Sequence, residues 1–326
     1  MKFSVLGASL AVALLTLPAA SHARSLTDLV LDPDPTPVSD PPPGPTLELP
    51  APAAPLPAPT PTEQRLDELV KAGREWRIET TRGPIHIWIP ASYDAATAAT
   101  VVFVHGYWTN IDQAWEDYRL PQQFALSGIN AMFIAPEAPV NKRDMIAWPS
   151  LRALVASVAT QLDGVHMPTK RLIAMGHSGA YRTLAAWLPN DGLDTLVLLD
   201  AVYGEYSFAP WARESKQHRL INIAYETGKY SDRLHRMIPG TERVDGLPLE
   251  GFPDARITYA KTDVGHWQLV TDGVAIPLAL RAIKVPMLDD APLDIPLGLP
   301  QRCKPSTAPT DPIAAAEPPV PILPPE

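Results

Sequence analysis

The stretch from Leu172 to Leu188, Leu-Ile-Ala-Met-Gly-His-Ser-Gly-Ala-Tyr-Arg-Thr-Leu-Ala-Ala-Trp-Leu, restricts the fold more than any other part of the 326-residue chain. A short apolar run ends at Gly176, and residues at helical spacing begin directly after Ser178. Small residues, Gly176, Gly179 and Ala180, crowd the serine. A strand turns this sharply into a helix only where no bulky side chains collide across the corner. Such a corner holds Ser178 exposed beside the backbone N–H groups of a helix N-terminus.

The ends of the chain contribute little core. Residues 1–23 carry one charge, Lys2, then an apolar stretch from Val5 to Leu17 and the small-residue site Ser21-His22-Ala23. That pattern is a cleavable secretory signal, too short for a comfortable membrane span, and it places the mature protein outside the cytoplasm, secreted or periplasmic. Residues 24–61 are dominated by proline, which fixes φ and offers no backbone donor, so they read as an extended disordered linker. Residues 301–326 form a second Pro-rich disordered tail. One domain remains, residues 62–300, with ample sequence for a core. The two Pro-rich segments are the features through which cell-envelope association is expected.

Formal net charge is −9, with no basic run, which argues against nucleic acid as a partner. Cys303 is the only cysteine, so no intramolecular disulfide forms and thiolate chemistry is not expected. The eight histidines lack the spacing of metal ligands. Neither a metal nor another cofactor is expected.

Between the ends, β-branched runs alternate with helical patterns. A helix is expected over Thr62–Lys71, then a hairpin of Trp76–Thr80 and Ile85–Ile89 around Arg82-Gly83-Pro84. Buried strands are expected at Thr100–Val104, Ala131–Ala135, Arg171–Met175, Thr195–Leu199, Leu220–Ala224 and Arg256–Tyr259. Helices are expected at Gln113–Leu126, Ser150–Leu162, Ala180–Leu188 and Trp267–Leu280, the last interrupted at Gly273 and Pro277. Alternation of this kind gives an α/β fold with a mostly parallel sheet, whose ligands bind at the carboxyl ends of the strands.

The chemistry-bearing residues fall just after those strands. His105-Gly106-Tyr107-Trp108 follows the first buried strand, and its glycine lets a backbone N–H, at Tyr107, join that of Gly179 as an oxyanion donor. His105 is expected to support the turn, and His177 to point away from the cleft. His266 follows the last strand, where a general base for Ser178 belongs. Three carboxylates compete to orient it: Asp200, which closes its strand and ranks first, then Glu226 and Asp232.

In this order of motifs the chain resembles the α/β-hydrolase superfamily over about Trp76 to Leu280. The resemblance implies acyl transfer to Ser178, with His266 as base, a carboxylate behind it and water releasing the acyl group. It leaves the substrate open, a small molecule or a polymer bearing an ester or amide. Too few residues separate Leu199 from Leu220 to build a large cap, and the Gly- and Pro-rich stretch Gly228–Pro253 is expected to border the site as a loop. Trp108, Tyr203 and Trp211 are candidates for the substrate cleft, in a groove that stacks sugars or flat acyl groups. An envelope binding or scaffold module without catalysis, or an acyltransferase, are the competing readings.

Overall fold

Continuous β-branched runs need cover on both faces, and the structure, a computed structural model, gives them a nine-stranded sheet between two helical layers. It describes residues 59–299 except residue 191. The chain enters through α1 (Pro61–Ala72), whose N-cap Thr60 and Glu63 form a reciprocal capping box. Next come β1 (Arg74–Ile78), β2 (Ile85–Ile89) and β3 (Ala99–Val104), then α2 (Ile111–Asp117), α3 (Leu120–Ser127) and β4 (Ala131–Pro136). The second half runs α4 (Leu151–Gln161), β5 (Arg171–His177), α5 (Tyr181–Trp187), β6 (Leu193–Leu199), α6 (Phe208–Glu214) and β7 (Arg219–Ala224). It ends with α7 (Gly228–Arg236), β8 (Glu242–Asp245), β9 (Ile257–Lys261), α8 (Gln268–Thr271) and α9 (Ala275–Arg281).

Strand order is β1-β2-β4-β3-β5-β6-β7-β9-β8. The β1–β2 and β2–β4 pairs are antiparallel, and every pair from β4–β3 to β9–β8 is parallel. Alternate residues feed two cores. Val101, Phe103, Ile173, Met175, Val197 and Leu199 face one layer, while Val102, Val104, Ala174, Leu196 and Leu198 face the other. All of these side chains are fully buried, so neither face of the central strands meets water.

Three expectations about local structure need correction. The helix expected over Gln113–Leu126 is two helices, because Arg119 takes a left-handed conformation (φ 51°) and Pro121 starts α3 afresh. The stretch Gly228–Pro253 is not a loop: it folds as α7 and the edge strand β8. The expected break in the last helical segment falls at Gly273 (φ 71°), whereas Pro277 sits in the first turn of α9, where proline removes no intrahelical hydrogen bond. The segment between β6 and β7 holds only the short α6, so there is no large cap among the described residues. The expected signal sequence (1–23), nearly all of the linker (24–61), the tail (301–326) and Cys303 lie outside the described residues.

Candidate active site

The corner between β5 and α5 is built by close approach. A Cβ on Gly176 would lie 2.7 Å from Ala180 Cβ and 2.8 Å from Leu184, so the strand end and helix start could not come together with a larger residue there. Ser178 has φ 53°, a left-handed conformation that a serine adopts only under constraint, and it heads a single helical turn, Ser178–Ala180, leading into α5. The loop after β3 presses on this corner. A Cβ on Gly106 would meet Ser178 Cβ at 2.8 Å, and one on Gly179 would meet the Tyr107 ring at 2.5 Å. The Tyr107–Trp108 backbone is thereby fixed against the serine, and Trp108 (φ 68°) donates its N–H to Val140 O at 2.9 Å.

His105 buttresses that loop from inside the protein. Its Nδ1 lies 2.8 Å from Gly106 O, and its Nε2 is 3.0 Å from the Ala138 N–H and 3.1 Å from Glu137 Oε1. Glu137 also accepts the Ile111 N–H, which ties the start of α2 to the same support.

The structure brings Asp200 and His266 together across the ends of β6 and β9. His266 Nδ1 is 2.6 Å from Asp200 Oδ2. Asp200 is fully buried and has φ 50°, a conformation aspartate tolerates better than most residues. Its Oδ1 accepts the N–H and the hydroxyl of Thr227 at 2.8 and 2.7 Å and the N–H of Tyr225 at 2.9 Å. Its Oδ2 accepts the N–H of Glu226 at 3.1 Å. Burial alone would raise the Asp200 carboxyl, but hydrogen bonds from His266 and from Thr227 outweigh it and hold the group well below the usual carboxylate range. A permanent carboxylate beside Nδ1 fixes the tautomer of His266, with the proton on Nδ1 and the lone pair on Nε2.

The other two carboxylates stand elsewhere. Glu226, half exposed, has its Oε2 3.9 Å from His266 Nδ1, beyond hydrogen-bond reach. Asp232 pairs with Arg243 at 3.1 Å and Lys261 at 3.5 Å, on α7. Asp200, Glu226 and His266 form the grouping of potential metal ligands among the described residues. The ring of N–H and O–H donors around both Asp200 oxygens suits a bare carboxylate and leaves it poorly disposed toward a cation.

Of the cleft candidates, Trp108 and Tyr203 are substantially exposed on loops after β3 and β6. Trp211 is not a cleft residue. It is buried on α6, stacked on His218 at 4.2 Å, because Phe208, Trp211 and Ala212 form the apolar face of that helix. His177 is buried and reaches the backbone of His266, a contact that no spacing in the sequence marks.

Strand order, the antiparallel β2, the serine corner after β5 and the histidine after β9 together define an α/β-hydrolase fold without a large cap. No family model matches the chain, and no curated protein does. Among solved structures it is similar to an S-formylglutathione hydrolase from Agrobacterium tumefaciens, at 8% identity over 66% of this chain and 96% of that one, with TM-score 0.46. A feruloyl esterase module from Clostridium thermocellum is similar at 12% identity over 69% and 88%, TM-score 0.45. A dienelactone hydrolase from Anabaena variabilis is similar at 11% identity over 64% and 94%, TM-score 0.41. Those activities belong to those proteins.

Proposed function

We propose that the protein is a serine hydrolase that cleaves an ester or amide through an acyl-Ser178 intermediate. The observation that carries this reading is the 2.6 Å contact of buried, ionised Asp200 with His266 Nδ1, on a frame where Ser178 sits at a strained corner. A carboxylate held so firmly on one imidazole nitrogen makes the other a directed base.

In the reaction, His266 Nε2 takes the Ser178 hydroxyl proton as Oγ bonds to the acyl carbon, and the carbonyl π pair moves onto oxygen. The N–H groups of Gly179 and Tyr107 stabilise that oxyanion. Collapse expels the alcohol or amine, which leaves with the proton from His266. Water then attacks the acyl carbon with His266 again as base, and the acid and free Ser178 are released.

The substrate is proposed to lie outside the cytoplasm, on the strength of the signal-like residues 1–23, as a small ester or an acyl group on an envelope polymer. Exposed Trp108 and Tyr203 beside the corner support a flat or apolar acyl or leaving group. N-terminal sequencing of the exported protein reads the first point: a mature chain beginning at Arg24 supports it.

Labelling of the full chain with a fluorophosphonate probe, next to Ser178→Ala, tests the chemistry. Labelling that disappears in the variant supports the hydrolase reading. A folded wild type that stays unlabelled moves the balance to a non-catalytic envelope module. Labelling with acyl release only to an added sugar or lipid alcohol, and none to water, makes the protein an acyltransferase.

A further inference from the structure

His177 stands between Gly176 and Ser178 in the corner motif, yet its side chain turns into the protein and is fully buried. Its Nε2 lies 3.0 Å from the carbonyl oxygen of His266, and its ring lies 4.4 Å from the His266 ring, tilted by 41°. A carbonyl oxygen can only accept, so Nε2 carries the proton and donates it. The other nitrogen, Nδ1, is buried with no hydrogen-bond partner. A doubly protonated ring would bury an N–H with no acceptor, and burial, followed by the nearness of His266, pushes His177 well below the ordinary histidine value. The ring is therefore a neutral, one-directional donor.

The His266 carbonyl has reason to need one. It lies in the turn between β9 and α8, and no backbone N–H among the described residues reaches it, although Leu269, Val270 and Thr271 bond to the carbonyls on either side. The rings of Trp267 and Tyr118, with centroids 5.5 and 6.4 Å away, pack against the His177 ring, which is itself fully buried.

We propose that His177 is a positioning residue: its Nε2–H to the His266 carbonyl fixes the backbone of the base against the strand that delivers Ser178, so that serine and base move as one body. The role rests on the reading of His266 as the base. Its neutrality belongs to the same device. His266 becomes an imidazolium in each half-reaction, and a second positive ring at that distance would oppose it.

The test compares His177→Leu, which keeps volume without a donor, with His177→Gln, whose Nε2–H falls where the imidazole Nε2–H was. Each is followed by circular dichroism, by the rate of fluorophosphonate labelling, and by the downfield NMR resonance of the His266 Nδ1 proton held by Asp200. His177→Leu is expected to stay folded, to label between about tenfold and about a hundredfold more slowly, and to broaden or shift that resonance. His177→Gln is expected to recover the rate to within a few-fold and to restore the resonance.

Wild-type labelling by His177→Leu overturns the proposal, and so does equal slowing in both folded variants, since either makes the ring packing alone. If the wild type itself does not label, the hydrolase reading fails and the NMR comparison decides the positioning role: an unaltered His266 resonance in His177→Leu sinks it. If His177→Leu does not fold, the nitrogen-15 shifts of the wild type decide. They are expected to show His177 as the Nε2–H tautomer with no titration while the fold persists, and an Nδ1–H tautomer is incompatible with the proposed bond.

Discussion

The ring of Tyr107 fills the space that a side chain on Gly179 would need: a Cβ there would lie 2.5 Å from Tyr107 Cγ and Cδ1. The two proposed oxyanion donors are thus held at a fixed separation by one packing contact. Gly179→Ala should drive the Tyr107 ring, and its backbone with it, away from Ser178. Loss of one such donor costs about 10²–10³ in turnover, so labelling and ester hydrolysis should fall by about a hundredfold. Tyr107→Ala in the same chain removes the obstruction and should recover part of the rate, a coupling read by the double-mutant cycle. Additive losses would show that the two donors are set independently.

Asp200 and Glu226 make opposite demands on a substitution. Asp200→Asn puts an NH2 group among five donors that now converge on its two oxygens, and at least one N–H must lose its acceptor. The His266 tautomer is lost with it, and turnover on a chromogenic ester should drop by about 10⁴. Glu226→Gln, at 3.9 Å from His266 and half exposed, should change turnover by no more than about threefold. A larger collapse in Glu226→Gln than in Asp200→Asn would reverse the assignment of the acid.

The central strands and the serine corner were legible because both depend on local chemistry: β-branched runs buried on two faces, and small residues where backbones meet. Asp200 could be ranked but not separated from Glu226 in sequence, because both close adjacent parallel strands, β6 and β7, and end beside the same histidine. α7 is hard to read from sequence for a physical reason. Its buried residues are Gly228, Ser231, Leu234 and His235, so Leu234 is the only apolar side chain among them to mark a helical stripe. The burial of Trp211 does have a sequence signal, since Phe208, Trp211 and Ala212 have the spacing of an apolar helix face. The break at Arg119 is a single left-handed residue, which spacing does not encode, though Pro121 marks the restart.

His235 makes stability depend on pH. Its ring is buried against Tyr259; Nε2 accepts from Asn222 Nδ2 at 3.1 Å and Nδ1 donates to Thr241 Oγ1 at 3.2 Å. Burial, then the charge of Arg243, pulls it down to about 3. Above the ordinary value of 6.5 neither folded nor unfolded chain protonates it and its contribution is intact. As pH falls below 6.5 the unfolded chain takes the proton and the folded one does not, so stability falls until about pH 3. Urea unfolding between about pH 7 and about pH 5, above the carboxylate range, should show a slope of up to about 1.4 kcal/mol per pH unit for each such histidine. His177 shifts in the same direction and adds to it. His235→Gln should be less stable at pH 7 but flatter by about one proton. An unchanged slope would remove His235 from the account.

Arg182, one turn into the helix that follows Ser178, spreads its guanidinium over the loop after β4. Nη1 donates to Lys142 O at 3.0 Å and Nη2 to Asp144 O at 2.9 Å, with longer contacts to Asn141 O and the Tyr107 hydroxyl at 3.4 Å. The next residue, Met145, is 88% exposed, and Val140, bonded through its carbonyl to Trp108, is also exposed. One planar side chain therefore holds the apolar rim beside the serine in place, and a lysine, a point charge on a flexible stem, cannot fork across three carbonyls. Arg182→Lys should speed amide exchange in residues 140–146 while the melting temperature moves by only a few degrees. A small fluorophosphonate, which does not use the rim, should label at nearly the wild-type rate, whereas KM for a bulky ester should rise about tenfold. If labelling falls as steeply as ester turnover does, Arg182 serves the Ser178 corner itself, and the rim is not a substrate surface.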